Sequence, residues 1–214
     1  MGTLELINDL LVLRSHIITY GRVSSPEITA RIRDEIESMW NEPAARVMIH
    51  DQYYELRFSI TAEWKPGIED LEIISNTDPL NNYFRIETFA RDNISFVDGI
   101  GCNSGYFKLE NLYQGSTTAA HEFGHSLGAE HPEDLDLRGK GIPGIMYPRG
   151  TLVDPEFQYE PNAIPGAKGG TLNPIHRRVR QEDVDALRLH GLTWKDNKAI
   201  AGEFTNVWHD DHAS

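Results

Sequence analysis

An α/β (α+β) fold is predicted by three features of the 214-residue chain: an apolar-rich run at Leu10–Tyr20, a strict alternation at Glu55–Trp64, and a helical repeat at Ile28, Ile32, Ile36 and Trp40. The first run has few breakers and reads as a buried strand. Ser25-Pro26-Glu27 then marks a helix start, with Ser25 as N-cap, Pro26 at the first helical position and an acid in the first turn. The helical repeat fixes one apolar face, and Pro43 ends the helix. In Glu55–Trp64, Leu56, Phe58, Ile60, Ala62 and Trp64 face one way and polar residues the other, as in a half-buried strand.

Phe84–Thr88 and Ile94–Val97 read as two further strands, residues 98–105 as a turn-rich connection, and Tyr106–Leu109 as a short last strand. An irregular stretch over residues 149–179 carries four prolines and four glycines. Loops of that length are commonly functional. Gln181–Gly191 follows as an amphipathic helix with Val184 and Leu187 on its apolar side.

Composition describes one ordinary globular chain, 39% hydrophobic and 25% charged. A net charge of −13 argues against a nucleic-acid partner, which needs a basic stripe, and gives no attraction to anionic membranes. No apolar run approaches the ~18 residues of a membrane span. The single Cys102 excludes an intrachain disulfide framework and reads as a small buried hydrophobe. Met1-Gly2-Thr3-Leu4-Glu5 lacks the basic region and cleavage site of a signal peptide. A protein kept inside the cell and a catalytic piece of a longer exported polypeptide both fit.

The chemically informative segment is His121-Glu122-Phe123-Gly124-His125-Ser126-Leu127-Gly128-Ala129-Glu130-His131. On a helix, His121 and His125 leave the same face one turn apart and can share a metal ion. Ala120, Phe123 and Leu127 form a second, apolar face that would anchor the helix. Glu122 sits where a carboxylate reaches a metal-activated water without being a ligand. Gly128 tolerates the left-handed backbone that closes a helix, so the chain can turn back and present His131. Three protein ligands leave the open position of a catalytic zinc site. The bland alternative is a polar helix face with two solvated histidines. With 18 Gly and 9 His in the chain, the matches at Gly128 and His131 arise together by chance about once in 280.

These residues resemble the metzincin metalloproteases, whose signature is HExxHxxGxxH followed by a Met-turn. Gly144-Ile145-Met146-Tyr147-Pro148 supplies the Met-turn candidate, with Met146 as an apolar floor beneath the metal. Gln181–Gly191 is similar to the closing helix of the matrixin-like branch. Pro132 stands where matrixins carry Ser, and Pro148 where astacins and serralysins place a Tyr contact. The resemblance implies a zincin-type catalytic domain over 1–214: an N-terminal subdomain (1–131) with a twisted, mixed, mostly parallel sheet, a long helix and the active-site helix. A mainly irregular C-terminal subdomain (132–214) follows, with the Met-turn, the long loop and one helix. It further implies an edge strand that pairs with extended substrate, for which Ile94, Ser95, Phe96 and Val97 are the candidates. Residues 149–179 would then either shape the primed-side pocket or form a structural insertion without substrate contact.

The implied function is zinc-dependent endopeptidase activity on a peptide or protein, with one Zn²⁺ held by His121, His125 and His131. Glu122 would serve as general base and then acid. Glu133, Asp134 and Asp136 offer oxygen ligands for calcium but lack the spacing of an ordered calcium loop. His209-Asp210-Asp211-His212 is read as a frayed acidic tail rather than a metal site. Two other settings fit the same residues. One is a nonenzymatic zinc-dependent binding module. The other is a toxin or effector domain of a larger exported bacterial protein, whose metallopeptidase domains Gly169-Gly170-Thr171-Leu172-Asn173-Pro174 resembles. That setting implies an inhibitor or immunity partner, and the catalytic domain itself is expected to be a monomer.

Overall fold

The apolar-rich run at Leu10–Tyr20 forms the central strand of one mixed sheet. The computed structural model describes every residue except 165, 166, 168, 169, 213 and 214. The chain opens with a hairpin of β1 (Gly2–Ile7) and β2 (Leu10–Tyr20). α1 (Pro26–Asn41) follows, and the Ile28 N–H donates to the Ser25 hydroxyl at its start (3.3 Å). β3 (Arg46–Ile49) and β4 (Gln52–Trp64) form a second hairpin. Its two turn residues, His50 and Asp51, both have left-handed φ (49° and 62°), the conformation that matches strand twist in a two-residue turn. α2 (Asp70–Ile74) leads into β5 (Asn81–Glu87), β6 (Phe96–Val97) and β7 (Ser104–Lys108).

The sheet runs β3-β4-β2-β5-β7-β6, and β1 lies beside the first half of β2. Pairing is parallel only at the centre, between β2 and β4, β2 and β5, and β5 and β7; the outer pairs are antiparallel. The sheet is therefore mixed as expected, with its parallel part confined to the middle.

α1 packs its Ile32, Ile36 and Trp40 face onto Leu56, Phe58 and Ile60 of β4, all fully buried. Burying side chains of this size stabilises by roughly 2–3 kcal/mol each. Asn41 fixes the register, accepting from the Phe58 N–H and donating to the Phe58 carbonyl (both 2.9 Å). Trp64 departs from the expected inward face. It lies past the part of β4 that α1 covers, is 39% exposed, and donates its indole N–H to Ser24 Oγ (2.9 Å).

α3 (Thr118–Ser126) packs beside α1 on the same face of the sheet, its Phe123 also meeting Phe58 of β4, and Ala120, Phe123 and the capping Leu127 are buried as expected. The Trp40 indole donates to the Ala120 carbonyl (3.0 Å), and its ring meets Phe123 edge-on. α4 (Gln181–Ala186) is shorter than the expected 181–191 helix: it gives way to a 3₁₀ turn at Leu189–Gly191, with Arg188 at φ 50°.

Residues after α4 run back to the sheet. β8 (Lys198–Ala201) pairs with β1. The segment that read as a frayed tail is docked through His212. Asn103 Oδ1 accepts the Thr205 and Asn206 N–H groups (2.9 Å each), Trp208 stacks on Tyr20, His209 pairs with Asp98 (2.9 Å), and His212 stacks on Tyr106. Among the described residues, no helix is long and apolar enough to cross a membrane.

Candidate metal centre

α3 carries His121 and His125 on adjacent turns of one face, and its C-terminus is built to bring a third ring to them. Gly128 has φ +107°, and a Cβ there would meet nothing within 4 Å, so the backbone angle rather than space demands glycine. The Gly128 N–H donates to the His125 carbonyl and the Ala129 N–H to the Gly124 carbonyl (3.0 Å each). This pair of bonds is the Schellman closure, and it turns the chain so that His131 faces the helix.

The three Nε2 atoms lie 3.1, 3.1 and 3.2 Å apart. Three nitrogens each about 2.0–2.1 Å from a tetrahedral zinc would be separated by roughly 3.3 Å. Nδ1 of His121 lies 2.7 Å from the Ile145 carbonyl, and Nδ1 of His125 lies 2.7 Å from the Ala129 carbonyl. A carbonyl only accepts, so the neutral His125 ring places its one proton on Nδ1 and leaves Nε2 as a bare lone pair, while Nδ1 of His121 faces both the Ile145 carbonyl and an Arg177 N–H (3.0 Å). Lone pairs at that separation repel unless a cation lies among them. The three histidines are positioned to bind a metal ion.

Burial keeps the rings neutral. It pushes His121 well below its ordinary value, helped by the Arg177 guanidinium, and brings His125 down to about 4. His131 is lowered by the same two causes. The sign of the pH dependence follows: protons compete with metal only below these depressed values. Three imidazoles of ordinary pKa would lose about 10³ in metal affinity by pH 5.5. Here we expect a fall of less than about tenfold between pH 7 and pH 5.5 in a chelator competition, and a 10³-fold fall would refute the neutral-ring picture.

Glu122 is buried and lines the same cavity of about 470 Å³ as the three histidines. Desolvation pushes its carboxyl up to about 8, against the opposing pull of Arg177 and the Val97 backbone N–H. Ile94, Ser95, Phe96 and Val97 line the cavity too. Only Phe96–Val97 forms strand, the edge strand β6, which pairs among the described residues with β7 alone. The expected four-residue strand is cut short because Asn93 turns (φ 58°) and the Ser95 side chain, rather than a ladder carbonyl, accepts the Lys108 N–H (3.0 Å).

Met146 is buried against the turn of α3 between the two histidines: a Cβ on Gly124 would overlap its sulfur and come within 2.9 Å of Trp40. Gly124→Ala should therefore cost about 1–3 kcal/mol by overpacking. A urea midpoint equal to that of the parent would show that Met146 can move aside.

Two polar residues of this centre carried no sequence signal. Asp183 of α4 accepts N–H groups from Ile145 (3.2 Å), Met146 (3.3 Å) and Arg180 (2.9 Å), and a Cβ on Gly144 would crowd its carboxylate at 2.9 Å. Asp183 thus holds the peptide whose carbonyl orients His121. Arg177 is buried, donating from Nε to Thr117 Oγ1 (3.0 Å) and from Nη1 to the Tyr147 carbonyl (3.1 Å), with Nη1 3.0 Å from His121 Nδ1. The Thr117 hydroxyl donates to the Pro174 carbonyl, so α3 takes its N-terminal acceptor from α1 instead: Ala120 N–H donates to Glu35 Oε1 (3.1 Å). Neither partner could be paired from spacing alone.

Val153 and Leu172 of the long loop form a small core with Leu137, beside Tyr147 and Phe157. Arg149 and Arg177 bring the loop's two ends to the cavity. Pro165, Gly166, Lys168 and Gly169 lie outside the described residues, so the Gly169–Pro174 string is described only from Gly170. The acidic group does not converge: Asp134 pairs with Lys140 and Asp136 with Arg138. Among the described residues the three histidines are the one cluster with metal-holding geometry.

No protein-family profile matches the chain, and no curated protein matches it. Among solved structures, one of myroilysin is similar over 90% of this chain and 100% of that one, at 12% identity and a TM-score of 0.40. An overlap that loose defines neither fold family nor activity.

Proposed function

We propose that the protein is a zinc-dependent endopeptidase of the metzincin type, with residues 1–214 acting as one catalytic domain. The observation that carries this reading is the convergence of three imidazole Nε2 atoms within 3.2 Å, with a buried carboxyl, Glu122, lining the same open cavity. The HExxHxxGxxH string, the closure at Gly128 and the packing of Met146 on Gly124 support the metzincin assignment.

His121, His125 and His131 would hold the ion, which when bound supplies Lewis acidity toward water and a peptide carbonyl. Glu122 takes a proton from water in the cavity and later delivers it to the departing amine. Burial raises the Glu122 carboxyl in the metal-free protein, and a cation held by the three histidines would pull it back toward the carboxylate that accepts the proton. At the outer edge of β6 the Val97 N–H is engaged by Glu122, and the Val97 carbonyl is left for an extended peptide to pair with.

The test is digestion of casein and of a peptide library by metal-loaded protein, with and without chelator. Cleavage that disappears on chelation and returns with zinc is expected. A protein that binds zinc stoichiometrically and cleaves nothing would instead be a binding module.

A further inference from the structure

We propose that Arg149 and Arg177 form a carboxylate-binding subsite that directs cleavage beside an Asp or Glu side chain; this rests on the peptidase reading. The chain carries a net charge of −13, yet the cavity beside the histidines is lined by two arginines and one carboxylate. That carboxylate is Glu122, the proposed proton carrier. Neither arginine forms a salt bridge among the described residues, where seven other arginines do.

Arg177 is the more telling of the two. Its side chain is buried at 4% exposure, and buried guanidinium groups are ordinarily paired with an anion. Of the nearest acids, Glu35 accepts from the N-terminus of α3, and Glu122, whose charge favours the Arg177 cation, forms no salt bridge with it. Nε and Nη1 are anchored by Thr117 and the Tyr147 carbonyl, which fixes the plane of the group. Nη2 has no hydrogen-bond partner among the described residues, and it is not among the buried polar atoms sealed from solvent. A rigid guanidinium that lines the cavity and keeps one nitrogen unpartnered among the described residues suits a carboxylate far better than an apolar side chain. Arg149 sits at the mouth, its Nη2 3.5 Å from Asn111 Oδ1, where a second charge can draw an acidic side chain inward.

N-acetylated, C-amidated fluorogenic peptides that differ only beside the scissile bond (Glu, Gln, Leu or Lys) test the assignment, since blocked ends leave the side chain as the only carboxylate source. Wild-type protein should favour Glu over Gln by at least about tenfold in kcat/KM, and the ratio should fall as salt rises. Arg177→Met should bring the ratio close to one, and Arg149→Met should lower it partway. An arginine that is only a strut would lower all four rates together with the ratio unchanged, and that result overturns the proposal. So does a wild-type ratio near one, whether or not Arg177→Met folds. If no peptide is cleaved, the peptidase reading fails separately. Calorimetric binding of the Glu and Gln peptides to Glu122→Gln protein then decides the subsite, equal affinities overturning it and at least about tenfold tighter Glu binding supporting it.

Discussion

Glu122→Gln should lower kcat/KM for peptide hydrolysis by about 10²-fold or more while leaving the metal content at one ion per chain. The substitution keeps shape and volume, so the cavity that Glu122 shares with the three histidines is unchanged. What it removes is the group that can take and return a proton, since an amide does neither at neutral pH. Metal content should hold because the converging donors are three ring nitrogens, none of which belongs to Glu122. The variant also has a stability signature in metal-free protein. Burial raises the folded-state value of Glu122 to about 8, above its unfolded value of 4.5. Stability from such a group is fully present below the unfolded value and is lost as pH rises through the folded one. Gln removes that loss, so at pH 8.5 the metal-free variant should unfold at higher urea than metal-free wild type. Metal analysis, steady-state kinetics and urea titration on the same preparation check all three parts. Turnover within a few-fold of wild type would end the proton-carrier role.

The parts of this molecule that could be read in advance are those where a local period coincides with burial. β2, β4 and α1 satisfy that condition, since Leu56, Phe58 and Ile60 alternate into the core and Ile32, Ile36 and Trp40 recur by turns onto them. The approach of the three histidines was legible for a related reason: His121, His125 and His131, with the turn at Gly128, meet through backbone geometry within eleven residues. β3 escaped because its hairpin turns on His50-Asp51 instead of an Asn-Gly pair, with tertiary packing paying the left-handed conformation. β8 and the docked segment through His212 escaped because their partners, β1, Asn103, Tyr20 and Tyr106, lie more than ninety residues away. Asp183 and Arg177 are the instructive omissions. Each is a buried charged residue whose role is set by what it touches, the Ile145–Met146 peptide in one case and Thr117 with Tyr147 in the other.

His125→Ala should weaken metal binding by about 10² or more and abolish measurable peptidase activity without unfolding the chain. Structural zinc sites contribute about 10–16 kcal/mol through four ligands, or roughly 3 kcal/mol each, which corresponds to a hundredfold or more in affinity. The fold should survive because the backbone of His125 does most of the local work. Its carbonyl accepts the Gly128 N–H (3.0 Å) and the Gly101 N–H (2.7 Å), and Ala keeps both bonds and favours helix. The loss falls on Ala129, whose carbonyl gives up its bond to the His125 ring (2.7 Å), an orphaned buried acceptor costing about 1–3 kcal/mol. Metal-free wild type and variant should thus differ modestly in melting temperature, whereas the zinc-dependent rise in melting temperature should largely vanish in the variant. His190→Ala is the control, since His190 lies in the 3₁₀ turn after α4 and outside the cluster. Zinc affinity unchanged in His125→Ala would place the ion somewhere other than among these three rings, and the catalytic reading of Glu122 would fall with it.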